Sequence, residues 1–250
     1  MVGQLYIGTS NVVIPGNKKS FPFEFQSTSR LHYYAELFNS VEINQSFYKT
    51  PLRKTYDKWA MDVGADFKFS IKLIKEITHE KSLQVDHAIL ERFFNSANGI
   101  GIKKGCLLVQ FPGKITLDYF SRVEQILRAL QEYDQEGAWR KTIEFRHPSW
   151  YIGETWELLD DFSTGVVLQD HPKAKLFELK GKAPFVYIRF HGPSGDYRDS
   201  YSMEFLHQKA MEMKEWMKKG KDVYVYFNNT IGNAFENART LQQFFDSRRA

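Results

Sequence analysis

The feature that most constrains this chain is a unit that recurs along it: a short apolar strand, a polar tip, a loop and an amphipathic helix. Strands alternating with helices predict a parallel sheet, because a parallel pair needs a crossover long enough to hold a helix. Eight strands are predicted, at Gln4–Ser10, Ser40–Asn44, Phe67–Lys72, Cys106–Phe111, Thr142–His147, Gly165–Asp170, Phe185–His191 and Asp222–Asn229. Their starts lie roughly 20 to 40 residues apart, the scale of one β-α unit. Helical periodicity fills most intervals. Ser29–Asn39 places Leu31, Tyr34, Ala35 and Phe38 on one face, and Thr116–Tyr133 does so with Phe120, Val123, Ile126, Leu127 and Leu130. Ser202–Lys219 opens with a serine cap and Glu204, and Asn233–Phe245 carries Ala234, Ala238, Leu241 and Phe245. The sixth unit is irregular, since too few residues separate Asp170 from Phe185 for a full helix. Eight units in 250 residues predict an α/β fold, one domain over 1–250, closed into a (β/α)8 TIM-type barrel with a parallel eight-stranded sheet.

Composition narrows the setting. The net charge of +4, from 34 basic and 30 acidic residues, is too mild to mark a nucleic-acid surface by itself. Lys218-Lys219-Gly220-Lys221 closes a helix, and Ser247-Arg248-Arg249-Ala250 reads as a solvated end. One cysteine, Cys106, excludes an intrachain disulfide; it opens an apolar run and reads as an inert buried thiol. No apolar stretch approaches the ~18 residues of a membrane span, and the N-terminus lacks a basic segment followed by an apolar one. The expectation is a cytoplasmic protein with no membrane partner.

Side chains of a strand alternate between two faces. Apolar residues serve the helical layer, so their neighbours must point into the barrel. Val41 and Ile43 go out and leave Glu42 and Asn44 inside. Phe67, Phe69 and Ile71 leave Ser70 and Lys72, and Val109 leaves Gln110. Ile143 and Phe145 leave Glu144 and Arg146. Val186, Ile188 and Phe190 leave Tyr187, Arg189 and His191. Val223, Val225 and Phe227 leave Tyr224, Tyr226 and Asn228. Tyr6, Gly8 and Ser10 face inward from the first strand, with Gln169 inward and Asp170 at the tip of the sixth. Nearly every strand thus ends in an inward polar residue at its C-terminal end, where barrels of this type carry their active sites.

Several segments resemble the YecE-like family of domains of unknown function. They include Ile7-Gly8-Thr9-Ser10, Val41-Glu42-Ile43-Asn44 with Phe47-Tyr48, Val109-Gln110-Phe111-Pro112, Glu144-Phe145-Arg146-His147 with Ser149-Trp150, Tyr187…Arg189…His191-Gly192 and Tyr226-Phe227-Asn228-Asn229. The resemblance runs over almost the whole chain. It implies a barrel like that of triosephosphate isomerase and no established reaction. The family usually has Gly-Trp after the first Gly-Thr-Ser, where Asn11-Val12 stand here.

Four chemistries suit the predicted mouth. In the first, Lys72, Arg146 and Arg189 form an anion site. Gly192 and the Asn228-Asn229 loop before a helix add backbone N–H groups, as in the phosphate sites of other barrels. In the second, Glu42 and Glu144 divide acid and base roles, with His191 beside them. A third gathers Glu42, Glu144, Asp170, His147 and His191 at a metal, with His79 and His171 at the edge; the three nearby cations oppose it, and no metal is expected. In the fourth, Tyr48, Phe111, Trp150, Tyr197 and Tyr201 stack bases, Trp150 foremost. No glycine-rich dinucleotide fingerprint and no P-loop occur, so no cofactor is expected. The leading expectation is an enzyme (hydrolase, lyase or isomerase) acting on a phosphate- or carboxylate-containing ligand. Glu42, Glu144 and His191 would be catalytic. Ser10, Asn44, Lys72, Gln110, Arg146, Trp150, Asp170, Arg189, Gly192, Asn228 and Asn229 would bind. The alternatives are a non-catalytic nucleotide or nucleic-acid binder and a metal-assisted hydrolase.

Overall fold

Apolar alternation in eight strands produces eight parallel strands in the computed structural model, which describes residues 1–246. The basic end Ser247-Arg248-Arg249-Ala250 lies outside the described residues. The strands are β1 (Leu5–Thr9), β2 (Ser40–Ile43), β3 (Lys68–Lys72), β4 (Lys104–Phe111), β5 (Arg140–Phe145), β6 (Gly165–Gln169), β7 (Phe185–Phe190) and β8 (Asp222–Phe227). They run in the order β1-β8-β7-β6-β5-β4-β3-β2, each parallel to its neighbour. The tips His147, Asp170, His191 and Asn228 lie just past the strand ends.

The ends of that order meet and close the barrel. Ser10 bridges Glu42 in parallel, and the Asn11 N–H donates to the Glu42 carbonyl at 2.7 Å. Elsewhere along the seam side chains replace the backbone ladder. Asn39 accepts from the Ile7 N–H at 2.9 Å and donates to the Leu5 carbonyl at 2.7 Å. The Tyr34 hydroxyl accepts from the Thr9 N–H at 2.7 Å and reaches the Ser40 carbonyl at 3.2 Å. Gly8 is needed here, since a Cβ at this position would lie 2.0 Å from the Ser40 carbonyl oxygen.

The outer layer comprises α1 (Arg30–Leu37), α2 (Arg53–Met61), the single turn α3 (Lys75–Thr78), α4 (His87–Ala97), α5 (Phe120–Tyr133), α6 (Gly153–Asp161), α7 (Met203–Lys218) and α8 (Ala234–Gln243). Ser29, Asp86 and Ser202 cap α1, α4 and α7 by accepting the N–H three residues on. Between β6 and β7 every residue is described and none is helical; Leu176 pairs back antiparallel on Gln169 instead.

Burial separates the two strand faces. One cluster fills the barrel: Tyr6, Cys106, Leu108, Val167, Phe185, Tyr187, Tyr224 and Tyr226 among others. The other lies beneath the helices and takes in Val41, Ile43, Ile71, Val109, Ile143, Phe145, Val186, Ile188, Phe190, Val223, Val225 and Phe227. Each such side chain contributes about 1.5–3 kcal/mol by leaving water. Within the barrel the tyrosines stack, with Tyr6 on Tyr224 at 4.6 Å, and the Tyr226 hydroxyl meets Ser70 Oγ at 2.9 Å. Cys106 is fully buried in this cluster, and burial pushes its thiol up.

Candidate active site

Above the tyrosine layer the inward polar residues converge as one network. At its base lies Arg189 from β7. Its Nε donates to Glu42 Oε2 at 2.9 Å, Nη2 to Glu42 Oε1 at 2.8 Å and Nη1 to Glu144 Oε2 at 2.5 Å. Glu42 also accepts from Ser10 Oγ at 2.6 Å and Tyr187 Oη at 2.7 Å. Arg146 Nε caps Glu144 Oε1. Both carboxylates are 0 % exposed and Arg189 is 1 % exposed. Buried ions are tolerated only when paired and hydrogen-bonded, and this trio meets that condition. Burial alone would raise both carboxyls. For Glu42 the Arg189 charge and hydrogen bonds reverse the sign, and for Glu144 Arg146 and Arg189 do so, leaving both below the ordinary value. Two carboxylates against Arg189 leave one negative charge over, and Arg146 supplies the balance.

Glu42 and Glu144, expected to divide acid and base roles, are both fully buried and each is ion-paired with arginine. Arg189, expected to hold a ligand, ties the two carboxylates together here, and its Nη1 also lies 3.4 Å from His191 Nε2. Ser10, expected to bind a ligand, is buried with its hydroxyl donating to Glu42.

The rim of the mouth carries the groups that remain. His191, just past β7 and fully buried, has Nδ1 3.2 Å from Asp170 Oδ1 and Nε2 3.0 Å from Arg146 Nη2 and 3.4 Å from Arg189 Nη1. Arginine only donates, so Nε2 is the acceptor and the ring proton sits on Nδ1, aimed at Asp170. Burial holds this imidazole below its ordinary value despite the Asp170 hydrogen bond. Asp170 is fixed in turn by the His191 backbone N–H at 2.7 Å and by the Tyr201 hydroxyl, which itself accepts from the Gly192 N–H at 2.6 Å. On the opposite side Lys72 Nζ donates to Gln110 Oε1 at 2.8 Å and sits 3.9 Å from the centre of the Phe47 ring. Burial, aided by the Arg189 charge, brings this ammonium down to about 8. Among the described residues no carboxylate lies within ion-pairing distance of it. His79 and His171 stand at the edge, each lowered to about 4, first by burial and then by the neighbouring cations Lys72 and Arg146 respectively.

Other expectations are redrawn. Trp150 is not a stacking surface: it is 0 % exposed, its ring lies 4.3 Å from that of Phe145, and Phe120 covers its other neighbourhood at 6.2 Å. Its Nε1 donates to the Ile115 carbonyl at 2.8 Å. Phe111 is buried beside Phe145 as well. His147 caps the turn at Pro148–Trp150 through Nδ1. Among the described residues no three His, Cys, Asp or Glu side chains are grouped to hold a metal ion.

The phosphate cradle expected at the seventh and eighth loops is closed by loop-on-loop packing. The N–H groups of Ile231, Gly232 and Asn233 donate to Tyr197, Asn229 and Asp199 carbonyls. A Cβ on Gly232 would lie 2.4 Å from the Asp199 oxygen, and one on Gly192, at φ +100°, 2.4 Å from the Arg198 oxygen. These glycines let the two loops touch. Asn229 is buried and donates to the Asp199 carbonyl and Asn237 Oδ1, so it joins the same packing. Asn228 stays half-buried at the rim.

Beside the mouth a cleft of about 880 Å³ opens between α1 and α2, lined by Asn11, Asn44, Tyr48, Lys54, Lys58 and Trp59 among others. Asn44 Oδ1 is enclosed there without a partner. Asn11 adopts φ +63°, a left-handed conformation that glycine takes freely and asparagine tolerates, and its side chain accepts the Asn44 N–H at 3.1 Å. Alternation places Tyr187 inward but does not disclose its bond to Glu42, nor the roles of Phe47 and Tyr201. Only the position of Phe47, directly after β2, hints at its contact with the mouth.

Fold and site together define a (β/α)8 barrel with a charged C-terminal mouth. The chain belongs to the family described as protein of unknown function DUF72, whose model matches residues 6–250. It is 23% identical over 261 residues to the UPF0759 protein YunF of Bacillus subtilis (strain 168), covering 90% of each chain. A DUF72 structure from Thermotoga maritima superposes with TM-score 0.78 at 24% identity, covering 97% of this chain and 99% of that one. One from Enterococcus faecalis does so at 0.76 and 20%, covering 97% and 98%. A D-psicose 3-epimerase shares the fold at TM-score 0.56 and 9% identity, covering 86% and 90%.

Proposed function

We propose that this protein is an enzyme that binds a small organic anion, carrying a phosphate or carboxylate, at the C-terminal mouth. Lys72 and Arg146 receive the charge and His191 moves a proton. The observation that carries this reading is the state of Lys72, a nearly buried cation at the rim with an amide and an aromatic face as partners and no carboxylate. Desolvated cations of this kind bind anions strongly, because little water must be displaced and the local dielectric is low. An anion that engages Arg146 Nη2 would draw it from His191 Nε2. That leaves Nε2 with only the longer 3.4 Å contact to Arg189 Nη1, on a ring oriented by Asp170, an arrangement suited to general base catalysis. Glu42 and Glu144 stay ionised throughout and fix the two arginines.

Titration calorimetry with inorganic phosphate at fixed ionic strength tests the binding half. Saturable heat is expected for the native chain and for His191→Asn, and its loss for Lys72→Met and Arg146→Met. Equal binding by all four would overturn the reading. A second reading, nucleotide binding without chemistry, is favoured by the exposed Tyr48 and the Trp59, Lys54 and Lys58 lining of the adjoining cleft. Adenosine monophosphate binding that survives Lys72→Met and is lost in Tyr48→Ala would select it.

A further inference from the structure

We propose that Lys72 is a carbonyl-reactive amine, which forms an imine with an aldehyde or ketone substrate that bears the anionic group. The inference rests on the mouth being the ligand site and deepens that reading by naming the substrate class: the Lys72 ammonium helps draw the anion in, Arg146 then holds the anionic group, and Lys72 attacks once it has lost its proton.

Three lysines are buried among the described residues, and two have the partner that burial demands. Lys141 Nζ lies 2.7 Å from Asp134 Oδ2, and Lys209 Nζ 2.9 Å from Glu212 Oε2. Lys72, 9 % exposed, has neither carboxylate nor full solvation. The groups facing it come from every neighbouring element. Phe47 follows β2, Gln110 is the penultimate residue of β4, and His79 follows α3 with its ring 4.8 Å from that of Phe47. Behind them the Glu42 and Glu144 charges pull its proton on, while Arg189 and Arg146 push it off. Burial decides the balance against the ammonium, so the neutral amine becomes available toward pH 8, well below the range of an ordinary lysine. Desolvation beside other cations is the established way to turn a lysine into a nucleophile. Gln110 holds the nitrogen at 2.8 Å without neutralising it, and the Phe47 ring lies against it at 3.9 Å.

The step balances without a further reagent. Neutral Nζ attacks the carbonyl carbon, a C–N bond forms, and the carbonyl π pair moves to oxygen. One proton passes from nitrogen to that oxygen to give the carbinolamine. The hydroxyl then leaves as water after protonation, and the nitrogen pair forms the C=N bond. The imine withdraws electrons from the adjacent carbon, which is what makes a proton there removable by a base such as His191.

Glyoxylate, a small anionic aldehyde, with sodium cyanoborohydride as the trapping reductant, tests this on the full chain. Peptide mapping by mass spectrometry reads which lysine carries the adduct. Lys72 is expected to label roughly tenfold faster than the exposed Lys19, with a rate that climbs as pH rises toward about 8. The fast adduct is expected to vanish in Lys72→Arg and Lys72→Met, and added phosphate is expected to slow it. Labelling of Lys72 no faster than Lys19 would overturn the imine. Phosphate binding that persists in that case would leave the anion site standing, whereas fast labelling that phosphate does not slow would separate the amine from that site.

Discussion

At the scale of single residues, the mouth divides into ions that hold one another and ions left for something else. Arg189 belongs to the first set. Arg189→Ala strands Glu42 and Glu144 in a site without solvent, so a loss of about 3–5 kcal/mol is expected, read as a lower urea midpoint. Lys72 belongs to the second, and its substitution should act in the opposite direction. Its proton is held less tightly in the fold, at about 8 against 10.5, so the charged side chain opposes folding below that range. Lys72→Met should therefore stabilise the protein at neutral pH, by up to roughly 3 kcal/mol. The gain should fade between pH 8 and 10.5, where the native lysine loses its proton. Urea titrations at both ends of that interval check the sign, and a destabilised Lys72→Met at neutral pH would contradict the strained cation. The sequence disclosed which residues point inward, because alternation with Val, Ile and Phe leaves no other choice. It did not disclose which of these charges satisfy each other. That depends on side-chain reach across strands distant in sequence, as between Glu42 and Arg189. Trp150 shows the same limit, since its place just after a polar tip says nothing of the Phe145 face it covers.

Elements were more legible than contacts. Eight strands and the irregular sixth unit follow from pattern and spacing alone. The closing seam does not, because it depends on Asn39, Tyr34 and Gly8 rather than on a run of ladder bonds. Gly8→Ala would press a methyl group into the Ser40 carbonyl and force β1 from β2. A loss of about 1–3 kcal/mol is expected in thermal or urea unfolding, and a neutral outcome would show that the seam has slack. Glycine-rich loops misled for a related reason. Gly192 and Gly232 suit either a ligand approaching the backbone or a second loop doing so, and only the fold reveals that Arg198 and Asp199 occupy that space. Phosphate affinity should accordingly survive Asn228→Ala, which changes the rim without touching Lys72 or Arg146, and calorimetry reads this directly.

For the molecule as a whole, closing the barrel joins the charged ends of β2, β5 and β7 into one electrostatic unit, and stability should follow its titration. Glu42 and Glu144 have folded values below the ordinary 4.5, so their contribution is complete above that pH and is lost as pH falls through the lower values. His191, neutral in the fold and below its ordinary 6.5, adds a loss with the same sign that begins as pH drops past that value. Melting temperature should hold near neutral pH and fall progressively into the acid range. In a folded Glu42→Gln variant the steepest part of that fall should be blunted.

If Lys72 and Arg146 receive an anion above a floor of mutually paired charges, a crystal grown with phosphate will hold phosphate oxygens within hydrogen-bonding distance of Lys72 Nζ and the Arg146 guanidinium, with Arg146 turned away from His191 and Arg189 unmoved on Glu42 and Glu144. Phosphate bound instead on the loop between β8 and α8, or on Arg189 after the floor has opened, would contradict that reading.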